Sequence, residues 1–218
     1  MLLTTAESRT ISCGPFVARP ASALNSGAPE LIVVKFKEGR RYAMSWYGSH
    51  SFLNAYIREN KCRRIMEIGV FNGENARTMV EVAMKNFPPE EVEYYGFDFF
   101  NGNEYHKLDQ ELKKTGCKFE LFKGDTIETL PEVVVILPKM DLIFIDGGKS
   151  YREAESDWEN STRLMHDETA VFVHNYEFSG VKRMVNNIPR DEYQVKIIHP
   201  RSEGQTALIK RIDKETAW

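Results

Sequence analysis

Residues Ile65 to Arg77 read Ile-Met-Glu-Ile-Gly-Val-Phe-Asn-Gly-Glu-Asn-Ala-Arg, a short apolar strand ending around an acid, a turn with two glycines, and the start of a helix. Such a layout suits a nucleoside cofactor. Glycine lets backbone approach a ligand with no Cβ in the way, and a helix start offers free N–H groups. A dinucleotide site wants Gly-x-Gly-x-x-Gly with pyrophosphate on the helix end, whereas the spacing here is Gly69-x-x-x-Gly73. Glu67 would repel a pyrophosphate and favour a cationic ligand. Further polar groups close later apolar runs: Asp98, Asp125, Asp146 and His174-Asn175. Asp98 can accept two hydrogen bonds from a ribose diol, a device that nicotinamide enzymes also use. Asp125 or Thr126 reads equally as the cap of the next helix. Asp146 and Asn175 offer oxygen ligands for a hard cation such as Mg²⁺. His174 offers a nitrogen that suits Zn, Mn or Fe better, or a general base with an unperturbed pKa of about 6.5.

These residues need a scaffold that brings strand ends together. From Arg64 onward, strand-like and helix-like runs alternate. The expected strands are Ile65–Ile68, Glu93–Asp98, Lys118–Lys123, Asp141–Asp146 and Thr169–His174. The expected helices are Glu74–Asn86, Glu104–Thr115, a short one before Pro138, Tyr151–Leu164 and Gly180–Asn187. Two last strands, Tyr193–His199 and Gln205–Arg211, are joined by Pro200–Gly204, which is too short for a parallel crossover. The pattern predicts an α/β fold: a Rossmann-like doubly wound sheet of about seven strands, mostly parallel with an antiparallel last strand, and helices on both faces. Ligands of such sheets bind beyond the carboxyl ends of the strands, where the polar groups above fall. Upstream, Ser49–Asn60 reads as a helix with Phe52, Leu53, Tyr56 and Ile57 on one face. Two β-rich runs, Leu31–Phe36 and Arg41–Trp46, flank a Gly-containing turn and suggest a hairpin. Residues 1–28 read as a loosely ordered arm. The expected division is an arm and hairpin over 1–48 and the α/β domain over 49–218.

The strand–acid–glycine stretch resembles motif I of the class I S-adenosylmethionine-dependent methyltransferases. The segment Asp141-Leu-Ile-Phe-Ile-Asp-Gly-Gly-Lys-Ser-Tyr151 looks like the Phe-Ile-Asp-Gly-Gly-His-Ser-Tyr stretch of a group of small-molecule O-methyltransferases. That group's histidine is Lys149 here. Asp146-x-x-Lys149 instead resembles the Asp-x-x-Lys of catechol-type O-methyltransferases. The resemblance implies S-adenosylmethionine as cofactor, held by Glu67, Gly69, Phe71, Gly73, Asn75, Asp98, Asp125, Thr126 and Asp146. It implies catalysis by Asp146, Lys149 and His174, with Lys149 as base for a substrate hydroxyl. It implies a divalent metal, Mg²⁺ or another, at Asp146, His174 and Asn175, with a metal-free route through His174 as the alternative. Two features depart from the pattern. The Gly-Gly usual before the fifth strand is replaced by His166-Asp-Glu-Thr169, and His174-Asn175 stands where catechol-type enzymes have Asp-Asn.

Composition narrows the setting. The chain has 218 residues, 42% hydrophobic and 28% charged, enough for one α/β domain with a core. No apolar run approaches the roughly 20 residues that span a bilayer, and the first residues lack the pattern of a secretory signal. Three dispersed cysteines, Cys13, Cys62 and Cys117, fit a reducing compartment, so a cytoplasmic protein is expected. Residues 1–64 hold 10 Lys/Arg against 4 Asp/Glu, and residues 65–218 hold 19 against 28. The basic stretch lacks an aromatic RNA-binding motif, so no nucleic-acid partner is expected; a 2′-hydroxyl methyltransferase of RNA is the variant that would use it. The expected partner is a small hydroxylated molecule. The arm and hairpin could close over the site or form a homodimer contact. Two other readings stay open: a nicotinamide-dependent oxidoreductase, opposed by the glycine spacing, and a non-catalytic binding module on the same scaffold.

Overall fold

The computed structural model describes residues 50–199 and 203–212. The expected arm and hairpin over 1–48 lie outside the described residues, as do Lys35, Lys37, Arg40 and Arg41 of the basic stretch. In chain order the elements are α1 (Ser51–Asn60), β1 (Arg64–Ile68), α2 (Glu74–Ala83), β2 (Glu93–Asp98), α3 (Glu104–Thr115), β3 (Lys118–Lys123), α4 (Thr126–Val133), β4 (Met140–Ile145), α5 (Tyr151–Thr162), β5 (Met165–Val173), α6 (Ser179–Asn187), β6 (Tyr193–Ile198) and β7 (Thr206–Arg211). A single 3₁₀ turn, Pro89–Glu91, precedes β2.

The seven strands lie in the order β3-β2-β1-β4-β5-β7-β6. Strands β1 to β5 pair in parallel, and β7 runs antiparallel to both β5 and β6. The short last connection therefore makes the antiparallel pair that its length demands. The sequence pattern did not say that β7 would insert between β5 and β6. Burial explains the order: Thr206, Ala207 and Ile209 of β7 are inaccessible, while β6 alternates with exposed positions and takes the edge.

Several boundaries differ from expectation by one to four residues. Helix α2 stops at Ala83 and α5 at Thr162, each followed by a turn. Strand β5 begins at Met165, ahead of the expected Thr169, with a register shift against β4. Polar side chains hold this irregular start. The Thr169 hydroxyl accepts the His166 N–H at 2.8 Å and donates to the Met140 carbonyl at 2.6 Å. The His166 ring meets Asp141 at 3.0 Å. These bonds stand where the expected Gly-Gly is missing.

Alternate strand residues face opposite layers. Ile65, Tyr94, Leu142, Phe144, Ala170 and Phe172 pack on α1, α2 and α3, including the predicted α1 face of Phe52, Leu53, Tyr56 and Ile57. Met66, Ile68, Phe97, Ile143, Ile145, Val171 and Val173 pack on α4, α5 and α6. This parity carries past the strand ends. Asp146 continues the Leu142–Phe144 face and His174 the Ala170–Phe172 face. Ile145 pairs with Val173, so Asp146 and His174 leave neighbouring strands side by side, on the α1 side of the sheet. Cys62 and Cys117 are buried free thiols, and no described helix is long and apolar enough to cross a membrane.

Candidate functional site

The loop between β1 and α2 is held by its backbone. Gly69 has φ +87° and donates its N–H to the Phe97 carbonyl at 2.8 Å. A Cβ there would collide with the Asp146 carbonyl, so the loops after β1 and β4 touch backbone to backbone. Gly73 has φ +79° directly before α2, and a Cβ on it would strike Leu108. Between them Phe71 turns at φ +52° with its ring exposed. Its N–H reaches Asp98 Oδ2 at 2.9 Å, and the Phe100 N–H reaches Oδ1 at 2.8 Å. Each oxygen keeps a lone pair for a ligand. Asp98 thus ties the glycine loop to the loop after β2 and stays available to a diol.

Glu67 does not behave as expected. It is fully buried, with Oε1 accepting from Asn75 Nδ2 at 2.7 Å and Oε2 from the Tyr94 hydroxyl at 2.5 Å. Burial pushes its carboxyl up to about 8, against the lowering effect of these two bonds. It therefore supports the loop from inside the α1–α3 layer, with its two oxygens turned to Asn75 and Tyr94. Asn75 is buried too, and its Oδ1 accepts the His50 N–H at 3.3 Å. Both residues brace the site and face inward, because the odd-numbered positions of β1, Ile65 and Glu67, and the first turn of α2 point into that layer.

Asp125 caps α4, its Oδ1 accepting the Ile127 N–H at 3.0 Å; Oδ2 is the oxygen left for a ligand. Thr126 begins the helix beside Asp157 of α5. Asp157 is fully buried and lies under Gly147, where a Cβ would stand 3.0 Å from its Oδ2. Neither of its oxygens, nor the Ser161 hydroxyl one turn on, has a hydrogen-bond partner within 3.5 Å among the described residues. Burial pushes the Asp157 carboxyl up to about 7, with the nearby Thr126 side chain opposing.

After β4 and β5 the polar side chains converge. Lys149 Nζ meets Asp146 Oδ1 at 2.5 Å, with both side chains partly exposed. The sequence places them three apart, and a Ser150–Glu153 capping box starts α5 immediately after, which fixes where Lys149 leaves the loop. His174 is buried with its ring 4.7 Å from that of His50, and His50 lies 4.9 Å from Phe144. Burial lowers the His174 pKa, while Asp146 opposes the shift, so the ring is neutral at pH 7. One donor atom from each of His50, Asp146 and His174 lies within 4.8 Å of the others. Asn175 takes a left-handed turn at φ +57°, and its amide lies toward Gly204 on the β6–β7 connection. Sequence reading missed His50 because nothing local distinguishes it; only the packing of α1 on β4 and β5 brings it here.

The aromatic residues divide. Phe100 is inaccessible and Trp158 packs edge-on against Tyr193 at 5.2 Å, so both belong to the core. Tyr151 is partly covered, bonded to Glu155 and Asn187, with Arg183 4.2 Å over its ring. Tyr176 donates to Asn186 at 3.0 Å. Phe71, Phe99 and Phe178 are exposed by 70%, 56% and 49% on the loops after β1, β2 and β5, and Val135 and Ile136 are exposed after α4, away from these loops. A depression of about 470 Å³ lined by Arg77, Glu81, Met84, Glu111, Lys114 and Thr115 lies on the outer side of α2 and α3 and includes none of these residues.

A family model described as a methyltransferase domain matches residues 66–176, the span from β1 through the turn after β5. No curated protein sequence matches the chain. Among solved structures, the O-methyltransferase TomG of Streptomyces achromogenes, involved in tomaymycin synthesis and in complex with SAM, is 17% identical with a TM-score of 0.63, over 74% of this chain and 78% of that one. CalS11, a TDP-rhamnose 3′-O-methyltransferase of calicheamicin biosynthesis, is 18% identical with a TM-score of 0.63, over 73% and 76%. An O-methyltransferase from Bacillus cereus in complex with SAH is 14% identical with a TM-score of 0.59, over 74% and 79%. At these identities the likeness is one of fold.

Proposed function

The chain belongs to the methyltransferase domain family, and we propose that it transfers the methyl group of S-adenosylmethionine to a hydroxyl oxygen of a small molecule. One observation carries this reading: the glycine loop that would hold the methyl donor is in backbone contact with Asp146, and Asp146 holds Lys149. A donor cradle and an acid–base pair therefore share one wall. The donor fits the cradle on two counts. Gly69 puts no Cβ where the loops after β1 and β4 meet, and the Asp98 carboxylate has oxygen lone pairs open beside two exposed phenylalanines.

When bound, the sulfonium supplies an already activated methyl group. The work left to the protein is alignment of the nucleophile and removal of one proton. Asp98 orients the ribose, and Asp125 Oδ2 is in reach of the loop after β3 for the base. Lys149, in its neutral amine form after giving a proton to solvent, takes the hydroxyl proton, and Asp146 fixes where its Nζ stands. Phe178 and Phe99 cover the apolar part of the acceptor and exclude water. The family match runs through all of these positions except Phe178. It also favours this reading over a nicotinamide-dependent oxidoreductase, which the Gly69-x-x-x-Gly73 spacing opposes as well.

The test is a calorimetric titration of the full chain with S-adenosylhomocysteine, with NAD as the comparison. Saturable binding of the former alone is expected, followed by methyl transfer to a member of a panel of phenols, catechols and sugars. Binding of NAD alone would overturn the reading. Tight S-adenosylhomocysteine binding with no transfer to any acceptor class would turn it into a binding module.

A further inference from the structure

We propose that His50, Asp146 and His174 form a binding site for a divalent transition-metal ion, selective for Zn²⁺, Co²⁺, Mn²⁺ or Fe²⁺ over Mg²⁺. The proximity of the three donors is the first observation. The second is how the two rings are held. His50 Nδ1 lies 2.9 Å from Glu203 Oε2. A carboxylate only accepts, so in the neutral ring Nδ1 carries the hydrogen and Nε2 the lone pair. His174 Nδ1 lies 2.9 Å from Thr206 Oγ1, and the Thr206 hydroxyl points its own hydrogen at the Gly204 carbonyl, 3.4 Å away. The threonine oxygen therefore accepts from Nδ1–H, and His174 too keeps its lone pair on Nε2. Imidazoles that bind metals are oriented by such outer partners on the other nitrogen. Here both partners come from one segment, residues 203–206, which leads into β7.

The third observation is the donor chemistry. Asp146 spends Oδ1 on Lys149 and keeps Oδ2. Two imidazole nitrogens and one carboxylate oxygen make a three-ligand set that leaves positions open for water or a substrate oxygen. Mg²⁺ takes oxygen ligands in near-octahedral array, so this set does not fit it. Asn175, the expected third ligand, turns toward Gly204, and His50 stands in the cluster in its place. The His50 ring lies tilted against Phe144 at 4.9 Å, and His174 is buried, so the cluster sits against the apolar layer under α1. A role for the metal in holding an acceptor oxygen rests on the methyl-transfer reading; the binding of the metal does not.

The experiment uses the full chain stripped with a chelator and titrated with Co²⁺, followed by its visible absorption, and with Zn²⁺ and Mg²⁺ by calorimetry. One Co²⁺ per chain is expected, displaced by Zn²⁺ and not by an equal concentration of Mg²⁺. His50→Gln and His174→Gln should each weaken Co²⁺ binding at least about tenfold, and Thr206→Val or Glu203→Gln by about tenfold. Circular dichroism of each variant reports folding, and the Thr206 and Glu203 variants, which remove no ligand, keep the test decisive if a histidine variant fails to fold. Mg²⁺ binding tighter than Zn²⁺, unchanged Co²⁺ affinity in His50→Gln, or no Co²⁺ binding by folded protein would each overturn the proposal. A protein that binds Co²⁺ and not S-adenosylhomocysteine would retain this site and lose the methyl-transfer reading; the reverse result would do the opposite.

Discussion

Beneath the glycine loop, Glu67 is fully buried and both its oxygens are bonded; beneath the loop after β4, Asp157 is as fully buried and neither of its oxygens has a partner within 3.5 Å among the described residues. The two carboxyls support the two halves of one ligand-facing edge. The first half is closed on itself. Tyr94 and Asn75 bond both oxygens of Glu67, and the Phe71 and Phe100 amides each bond one oxygen of Asp98. In the second half, Asp157 is buried beside the Thr126 side chain, Lys149 and Asp146 pair at a partly exposed surface, and the rings of two histidines lie 4.7 Å apart. The comparison teaches that the proposed donor cradle is held by backbone and buried bonds, whereas the proposed chemical half rests on side chains, of which His50 and His174 come from distant parts of the chain.

The strongest way to break this comparison is to remove the acid–base pair. Lys149→Ala should lower kcat by roughly 10²–10⁴-fold and leave S-adenosylhomocysteine affinity within a few-fold, as read by calorimetry. Loss of binding in a folded variant would mean that Lys149 belongs to the donor half. Asp98→Ala should do the reverse. Its loss of charged hydrogen bonds is worth about 1.5–3 kcal/mol, seen as a raised Kd for S-adenosylhomocysteine, with kcat at saturating donor changed much less.

Asp157→Asn sharpens the comparison through pH. The folded-state value of about 7 lies above the unfolded one, so the contribution of Asp157 to stability is fully present below about pH 4 and is lost as pH rises through 7. Glu67, pushed up to about 8, has the same sign and a higher window. The asparagine variant has no such loss from Asp157. Its stability relative to wild type, measured by urea unfolding, should therefore rise between pH 4 and pH 8, by on the order of 1–3 kcal/mol. A difference independent of pH would show that Asp157 is not buried as described. The smallest effect is expected from Tyr94→Phe, which takes one donor from Glu67. It should cost about 1–2 kcal/mol and loosen donor binding, with the kcat of the saturated enzyme unchanged.

How much of the site was legible depended on how far apart its partners lie in the chain. Gly69 and Gly73 were legible because positive φ and close approach leave glycine as the residue without steric cost. Asp98 and Asp146 were legible because each ends an apolar run, and parallel strands deliver such ends to one edge. The Asp146–Lys149 pair was legible from a spacing of three. Glu67 was legible as a position and not as a buried one: its burial follows from the parity of β1 and from Tyr94 on the neighbouring strand, which sequence spacing does not reveal. Asp157 gave no signal, since an acid within a polar helix reads as solvated until the packing of α5 beneath Gly147 is known.

By itself, then, the amino-acid sequence determined the alternation of strands and helices, the antiparallel last pair, the glycine loop and the acids at the strand ends. These follow from local rules of period, turn and cap that act over a few residues. Tertiary structure alone decided that β7 lies between β5 and β6, that Glu67 faces inward, and that His50, Asp146 and His174 meet. The physical reason is the same for all three. Each depends on which apolar faces bury against one another across long chain separations, and that choice is made by the packing of the whole sheet with its two helix layers.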